Sequence, residues 1–275
     1  MSLPLRCRNL LRVARSGVLL QKELLEAQLA RRPRRLEPRQ QELLGQLRRD
    51  GLATVQAYWP RDRALRMGER LREYLQVGSN HDFPEGAYAR YWDAELEDSS
   101  ERPHDAGVRR VYHVDKLVPE LAEFRHDPFV LGVAAAYYRV PMFSALLAFQ
   151  YNCESTHVTR YFHLDAFERE FKAFLYLDDV DEGNGPFAYL RTSHSAALTR
   201  LKRQITVKHS EEPTSFEPRA VRHLLAKEAH ITGPAGTLIL ADVRGLHRGT
   251  PQRERSRSVL VNYLKTTPDE YFPER

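Results

Sequence analysis

The chain has few cysteines: Cys7 and Cys153 are the two in its 275 residues. That excludes a disulfide framework and any cysteine-rich metal or redox motif, and a reduced, cytoplasmic setting is the expectation. Long apolar runs are missing too. The longest stretch without a charged residue, Val140 to Cys153, is too short to cross a bilayer as a helix. Arg6, Arg8, Arg12 and Arg15 interrupt any signal-peptide core near the start. There is no internal repeat and no low-complexity tract.

What is present describes a folded protein with a full core: 42% hydrophobic and 29% charged residues. The net charge of +5 is unevenly placed. Residues 1–39 hold ten Lys or Arg against three Glu, so residues 40–275 are slightly acidic. The expected organisation is therefore a basic helical arm over 1–39 and one domain over 40–275. The arm reads as a solvated amphipathic helix, or as a patch for an anionic membrane or acidic partner. Nucleic acid is not the expected partner, because only the arm favours it.

Along the chain, Leu19 to Leu29 has helical composition. Pro33 and Pro38 mark a break before a second helix that runs to about Arg49 and stops at Asp50-Gly51. "LATVQAYW" reads as a short strand, and Pro60 opens an amphipathic helix in "RDRALRMGERLREYLQ". Val77 to Arg109 is polar but carries Phe83, Tyr88, Tyr91 and Trp92, the pattern of a lid or of a loop pinned by aromatics. Helices are expected over Val118 to Phe124 and Pro128 to Tyr138. Strands then dominate, at 145–152, 171–177, 187–194, 236–242 and 257–264, separated by "EGNGP" and "GPAG" turns. A short helix is expected around Val221 to Glu228. Helices first and strands afterwards imply an antiparallel β core, sandwich or barrel-like, braced by N-terminal helices.

"YFHLDAFEREF" (161–171) places His163 and Asp165 two apart, so in an extended segment they share a face. A third donor of the right kind is His247, between two expected strands. Two imidazoles and one carboxylate on one side of a metal leave open positions, as in non-haem Fe(II) oxygenases. Ten residues later Arg257 opens the last strand, where a guanidinium could hold a dicarboxylate in a bidentate fork.

These blocks, "FHLD", "FKAFLYLDDVDEGNGPFAYL", "TSH" and "LADVRGLHRGTPQRERSRSVL", resemble the phytanoyl-CoA dioxygenase family of Fe(II)/2-oxoglutarate oxygenases. The resemblance covers roughly Ala145 to Leu264, with looser character back to about Gly51. It implies a mainly β, double-stranded β-helix (jelly-roll, cupin-like) core. It also implies Fe(II) and 2-oxoglutarate as cofactors, O2 and a small molecule as substrates, and hydroxylation with release of succinate and CO2. His163, Asp165 and His247 carry over as metal ligands and catalytic centre, and Arg257 as the anchor for the distal carboxylate of 2-oxoglutarate. Gln150 corresponds to an amide that faces the co-substrate, and Thr250 to a hydroxyl near the Arg, one residue later than the usual His-x-Ser. Halogenating relatives have a small residue where Asp165 stands. "RTSH" departs from the family's Gly-Ser-His, and His194 reads as structural. Arg255 competes with Arg257 for the anchor. Lys172 is either a second carboxylate contact or a solvated strand lysine. A non-catalytic metal-binding relative, or an interaction module with a basic arm, is the alternative class.

Overall fold

The computed structural model describes residues 36–76, 88–92, 107–154, 161–165, 169–195, 215–216 and 218–268. The first helix, α1 (Pro38–Asp50), begins where a proline can: Pro38 has no N–H to leave unpaired. The Glu37 N–H just ahead of it donates to the Gln40 side-chain oxygen at 3.1 Å. It ends at Gly51, whose φ of 86° lets its N–H turn back to the Leu47 carbonyl at 2.8 Å. Leu43, Leu44 and Leu47 are buried at helical spacing. In α2 (Arg61–Glu73), Ala64, Met67, Gly68 and Leu71 do the same. In α3 (Pro128–Tyr138), Asp127 caps the start by accepting from the Phe129 N–H at 2.8 Å.

Twelve strands follow in two antiparallel sheets among the described residues. They are β1 (Leu52–Val55), β2 (Tyr88–Trp92), β3 (Val108–Tyr112), β4 (Phe143–Asn152), β5 (Phe162–His163), β6 (Phe171–Tyr176), β7 (Phe187–Leu190), β8 (Ser215–Phe216), β9 (Glu228–Ile231), β10 (Leu238–Asp242), β11 (His247–Gly249) and β12 (Arg257–Lys265). The larger sheet runs β1-β10-β6-β12-β4-β3-β2 and the smaller β8-β5-β11-β7-β9. This is the cupin-like jelly roll that the resemblance implied.

Side-chain alternation divides the larger sheet into two faces. On β6, Phe171, Ala173 and Leu175 join Leu47, Met67, Leu71 and Val133 in a core beneath the helices. Tyr176 points the other way and packs with Val259, Val261 and Ile239 against Phe187, Tyr189 and Ile231 of the smaller sheet. Each fully buried leucine of the helix-covered face is worth about 1.5–3 kcal/mol. The helices therefore stabilise the outside of the sheet while its inside stays available for polar groups.

Several expectations need correction. The stretch expected as a loop from Val77 to Arg109 contains strand β2 and the start of β3, paired in register from Tyr88↔Tyr112 to Trp92↔Val108. The strand expected over 187–194 stops at Leu190, because Thr192 takes a φ of 66° and the Ser193 N–H turns back to the Leu190 carbonyl. "LATVQAYW" is extended only to Val55, with Ala57 at a φ of 50°. The helix expected at 221–228 is a 3-10 turn, Arg222–Lys227, and Glu228 already belongs to β9. Val118 to Phe124 is helical as a 3-10 turn followed by one short α turn. The helix at Leu19 to Leu29 lies outside the described residues, and the boundary drawn at residue 39 falls within the first turn of α1.

Candidate metal centre and co-substrate pocket

Strands β5 and β11 pair through a single register position, His163↔His247. The pairing sets the two imidazoles side by side, with ring centroids 4.6 Å apart. Asp165 follows His163 by two residues, and its backbone N–H donates to the Val243 carbonyl at 3.1 Å. That bond turns the carboxylate toward both rings. His247 Nε2 lies 3.2 Å from one Asp165 oxygen, and His163 Nε2 lies 3.9 Å from the other. One ligand atom from each residue falls within 4.8 Å of the others. Donors about 2.0–2.2 Å from a common ion lie about 3 Å or more from one another, so the three can converge on one metal.

The ring orientations are fixed from behind. His247 Nδ1 lies 2.9 Å from the Gly245 carbonyl, and His163 Nδ1 lies 3.3 Å from the Tyr161 carbonyl. A carbonyl at Nδ1 favours the tautomer with its proton there, leaving Nε2 as the donor to a metal. Tyr189 stacks near His247, with centroids 6.4 Å apart and planes 16° from parallel. The chain behind Asp165 is braced as well. Asp242 and Arg244, on either side of Val243, form a two-bond ion pair at 3.0 and 2.8 Å, and Tyr137 of α3 donates to Asp242 at 2.9 Å.

Lys172 is buried, not solvated. Its ammonium lies 2.8 Å from Asp165 and 3.9 Å from Glu170, and 4.1 Å over the Tyr263 ring. Burial opposes ionisation of Asp165, but Lys172 and the two histidines outweigh it and hold the carboxyl well below its usual range. Burial likewise works against the charge on Lys172, yet Asp165, Tyr263 and Glu170 together raise its pKa. Glu170 is pushed upward, by burial first.

Arg257 opens onto the same cavity as the three candidate ligands. It is 3% exposed, one N–H donates to the Gly185 carbonyl, and its Nε has no hydrogen-bond partner. Burial lowers its pKa. A buried guanidinium with an unused donor fits the carboxylate end of a co-substrate. Arg255, by contrast, is an exposed partner of Asp181. Gln150 lines the cavity; it accepts from Arg110 Nε at 2.8 Å and donates to Asn152 at 2.9 Å. Thr250 is committed elsewhere: its hydroxyl donates to the Pro186 carbonyl at 2.9 Å, and it does not line the cavity. His194 also stays outside the cavity, packed where a Cβ on Gly51 would come within 2.4 Å of its Nδ1.

Sequence reasoning passed over two cavity residues. Asn152 lies directly opposite Arg257 in the β4–β12 register, and the two-residue step from Gln150 could have revealed it. Arg110 was hidden because its strand was read as the edge of a loop.

The donor set of two neutral imidazoles and one carboxylate, with Nε2 of both rings turned inward, suits Fe(II). No protein-family model matches the chain, and no curated protein matches it. Solved structures do. One is the epimerase SnoN in complex with Fe3+, alpha ketoglutarate and nogalamycin RO, 13% identical, with a TM-score of 0.57 over 82% of this chain and 83% of that one. Another is EctD from S. alaskensis with 2-oxoglutarate and 5-hydroxyectoine, 13% identical, with a TM-score of 0.58 over 84% and 76%. A third is HygX from Streptomyces hygroscopicus with nickel and 2-oxoglutarate, 15% identical, with a TM-score of 0.54 over 82% and 87%. At these identities the likeness establishes a shared fold, the jelly roll on which those proteins hold a metal and 2-oxoglutarate.

Proposed function

We propose that this protein is an Fe(II)- and 2-oxoglutarate-dependent dioxygenase of the phytanoyl-CoA dioxygenase type, hydroxylating a small molecule. The observation that carries the reading is that His163, Asp165, His247 and Arg257 face one cavity between the sheets. The first three would hold the metal and Arg257 the distal carboxylate of 2-oxoglutarate. Bound there, the metal and its co-substrate supply oxidation of an unactivated C–H bond by O2, coupled to decarboxylation of 2-oxoglutarate to succinate. The protein's own residues bind and orient. The carbonyls of Gly245 and Tyr161 keep both Nε2 atoms directed inward, and the Val243 carbonyl holds the Asp165 backbone. Phe174 and Phe187, with ring centroids 4.7 Å apart, close the apolar side of the cavity against water. The basic N-terminal segment, drawn from the sequence as 1–39, is in this reading a solvated arm apart from the oxygenase domain, with an anionic membrane or acidic partner as the alternative role.

The test is anaerobic addition of Fe(II) and 2-oxoglutarate. A visible charge-transfer band is expected, followed by succinate release in air. No band, or a band that persists in both His163→Ala and His247→Ala, would remove the assignment.

A further inference from the structure

Three polar side chains of the cavity wall form a chain of hydrogen bonds with a fixed direction. Arg110 stands opposite Gln150 across β3 and β4, and two residues further along β4 Asn152 stands opposite Arg257 of β12. All four line the cavity. Arg110 Nε donates to Gln150 Oε1 at 2.8 Å, and Gln150 Nε2 donates to Asn152 Oδ1 at 2.9 Å. An amide can usually be turned over to exchange its oxygen and nitrogen. Here it cannot, because a guanidinium carries donors and no acceptor. Whatever else Arg110 touches, it meets the oxygen of Gln150, and Gln150 turns its nitrogen to Asn152. The oxygen of Asn152 is thereby engaged, and its nitrogen is the end left over.

That nitrogen lacks an acceptor. Asn152 is 1% exposed, and among the described residues none accepts from its Nδ2. Its neighbours across the sheet are Val108, which is apolar, and Arg257, which can only donate. An unmet donor sealed in the wall is costly unless a ligand oxygen meets it. The distal carboxylate of the proposed co-substrate, for its part, needs more than Arg257 supplies. Its two oxygens accept about four hydrogen bonds, and one edge of a guanidinium gives about two. The hydroxyls near Arg257 are committed elsewhere. Tyr176, whose ring lies 5.9 Å from the guanidinium, donates to the Ile231 carbonyl at 2.7 Å and accepts from the Phe187 N–H at 3.0 Å. Thr250 donates to the Pro186 carbonyl.

We propose, resting on the oxygenase reading above, that Asn152 is a second binding residue for the distal carboxylate of 2-oxoglutarate, donating from Nδ2 beside Arg257. Arg110 and Gln150 are positioning residues that act through it, because their two bonds hold the Asn152 amide with its nitrogen toward the anion. Asn152 thereby fills the role that the resemblance assigned to the Thr250 hydroxyl.

The experiment uses the full chain with Fe(II) under anaerobic conditions and follows the charge-transfer band as 2-oxoglutarate or pyruvate is added. Pyruvate has the same keto acid end and no distal carboxylate. Asn152→Leu should weaken 2-oxoglutarate at least about tenfold, as expected for a lost hydrogen bond to a charged group, and leave pyruvate unaffected. Gln150→Glu separates positioning from packing. It keeps the shape and the bond to Arg110, but a carboxylate cannot donate to Asn152. The Asn152 nitrogen then turns to the new carboxylate and its oxygen faces the co-substrate, so the same selective loss is expected. A purely structural Gln150 would give none. Arg110→Met lets both amides turn over and should show a smaller loss of the same kind. A smaller effect than tenfold in Asn152→Leu, or equal weakening of both acids, overturns the proposal and leaves the oxygenase reading standing. Where Asn152→Leu does not fold, Gln150→Glu decides, and unchanged 2-oxoglutarate affinity there overturns the proposal. Failure of the band to form in the wild type counts against the oxygenase reading itself.

Discussion

His163 and His247 are direct partners across β5 and β11, so two metal ligands distant in sequence are placed by one backbone register. Shifting that register by one residue would turn one imidazole to the opposite face of the smaller sheet. The two rings are thus placed by strand pairing. Co(II) should therefore bind the folded apoprotein and stabilise it, by about 2.7 kcal/mol at a hundredfold excess over Kd. His163→Ala and His247→Ala should each remain folded and lose that increment. Urea unfolding with and without metal is the measurement.

Arg257 and Arg255 differ in a way that kinetics can read. Arg257 is buried with an unused Nε, whereas Arg255 is held at the surface by Asp181. Arg257→Ala should weaken 2-oxoglutarate by about 2–5 kcal/mol, the cost of leaving a buried carboxylate without its partner. Arg255→Ala should leave the 2-oxoglutarate requirement unchanged. Titrating the charge-transfer band against 2-oxoglutarate in both variants gives the ranking, and the reverse order would move the anchor.

The sequence was informative where periodicity and chemistry coincide. The long strands β4, β6 and β12 alternate or run apolar, and the His-x-Asp triplet announces itself by residue type. It was uninformative where tertiary pairing overrides local preference. β2 and β3, rich in Arg and Tyr, become strands because β4 offers β3 an edge, from Val108↔Asn152 to Tyr112↔Ala148, and β3 in turn offers one to β2. That is why Arg110 was missed while Gln150, its partner, was found. Lys172 shows the same limit, since composition does not tell a solvated lysine from one sealed beside a carboxylate.

The Asp242–Arg244 pair predicts the acid behaviour of the fold. Burial opposes ionisation of Asp242, but Arg244, His194 and Tyr137 prevail and depress its pKa. A depressed carboxyl contributes stability that is present above about pH 3.9, its unfolded value, and is lost as pH falls through the folded value. Asp242→Asn should cost about 3–5 kcal/mol at neutral pH by leaving Arg244 uncompensated. The variant should also lose less stability than the wild type on going below pH 4. Denaturant midpoints across that range test both statements.

Removal of residues 1–36 is expected to leave 2-oxoglutarate turnover intact, because the segment's charge is opposite to that of the rest of the chain and it contributes nothing to the blocks that carry the resemblance. Succinate release and binding to anionic vesicles should be measured on both forms. Unchanged turnover with lost vesicle binding identifies a targeting arm. Collapse of turnover in a folded protein would place the arm at the mouth of the site.

Two glycines should respond to alanine in opposite directions. At Gly245 a Cβ would stand 1.7 Å from the Tyr189 hydroxyl and 2.3 Å from its ring. That hydroxyl is tied to the Asp242 carbonyl at 2.9 Å, so the ring cannot swing aside without breaking a buried bond. The same ring stacks near His247, and the Gly245 carbonyl itself orients that imidazole. Gly245→Ala should therefore cost about 1–3 kcal/mol of stability through overpacking, and it should also weaken Co(II) binding, because the backbone and the ring that position His247 move together. Gly45, in the middle of α1, meets nothing within 4 Å. There alanine only restricts the unfolded chain and favours the helix, so Gly45→Ala should gain about 0.5–1 kcal/mol and leave the metal affinity untouched. Parallel unfolding and metal titrations of the two variants separate the effects. A Gly245→Ala protein that binds Co(II) as tightly as the wild type would show that the ring behind His247 packs the core without positioning the ligand.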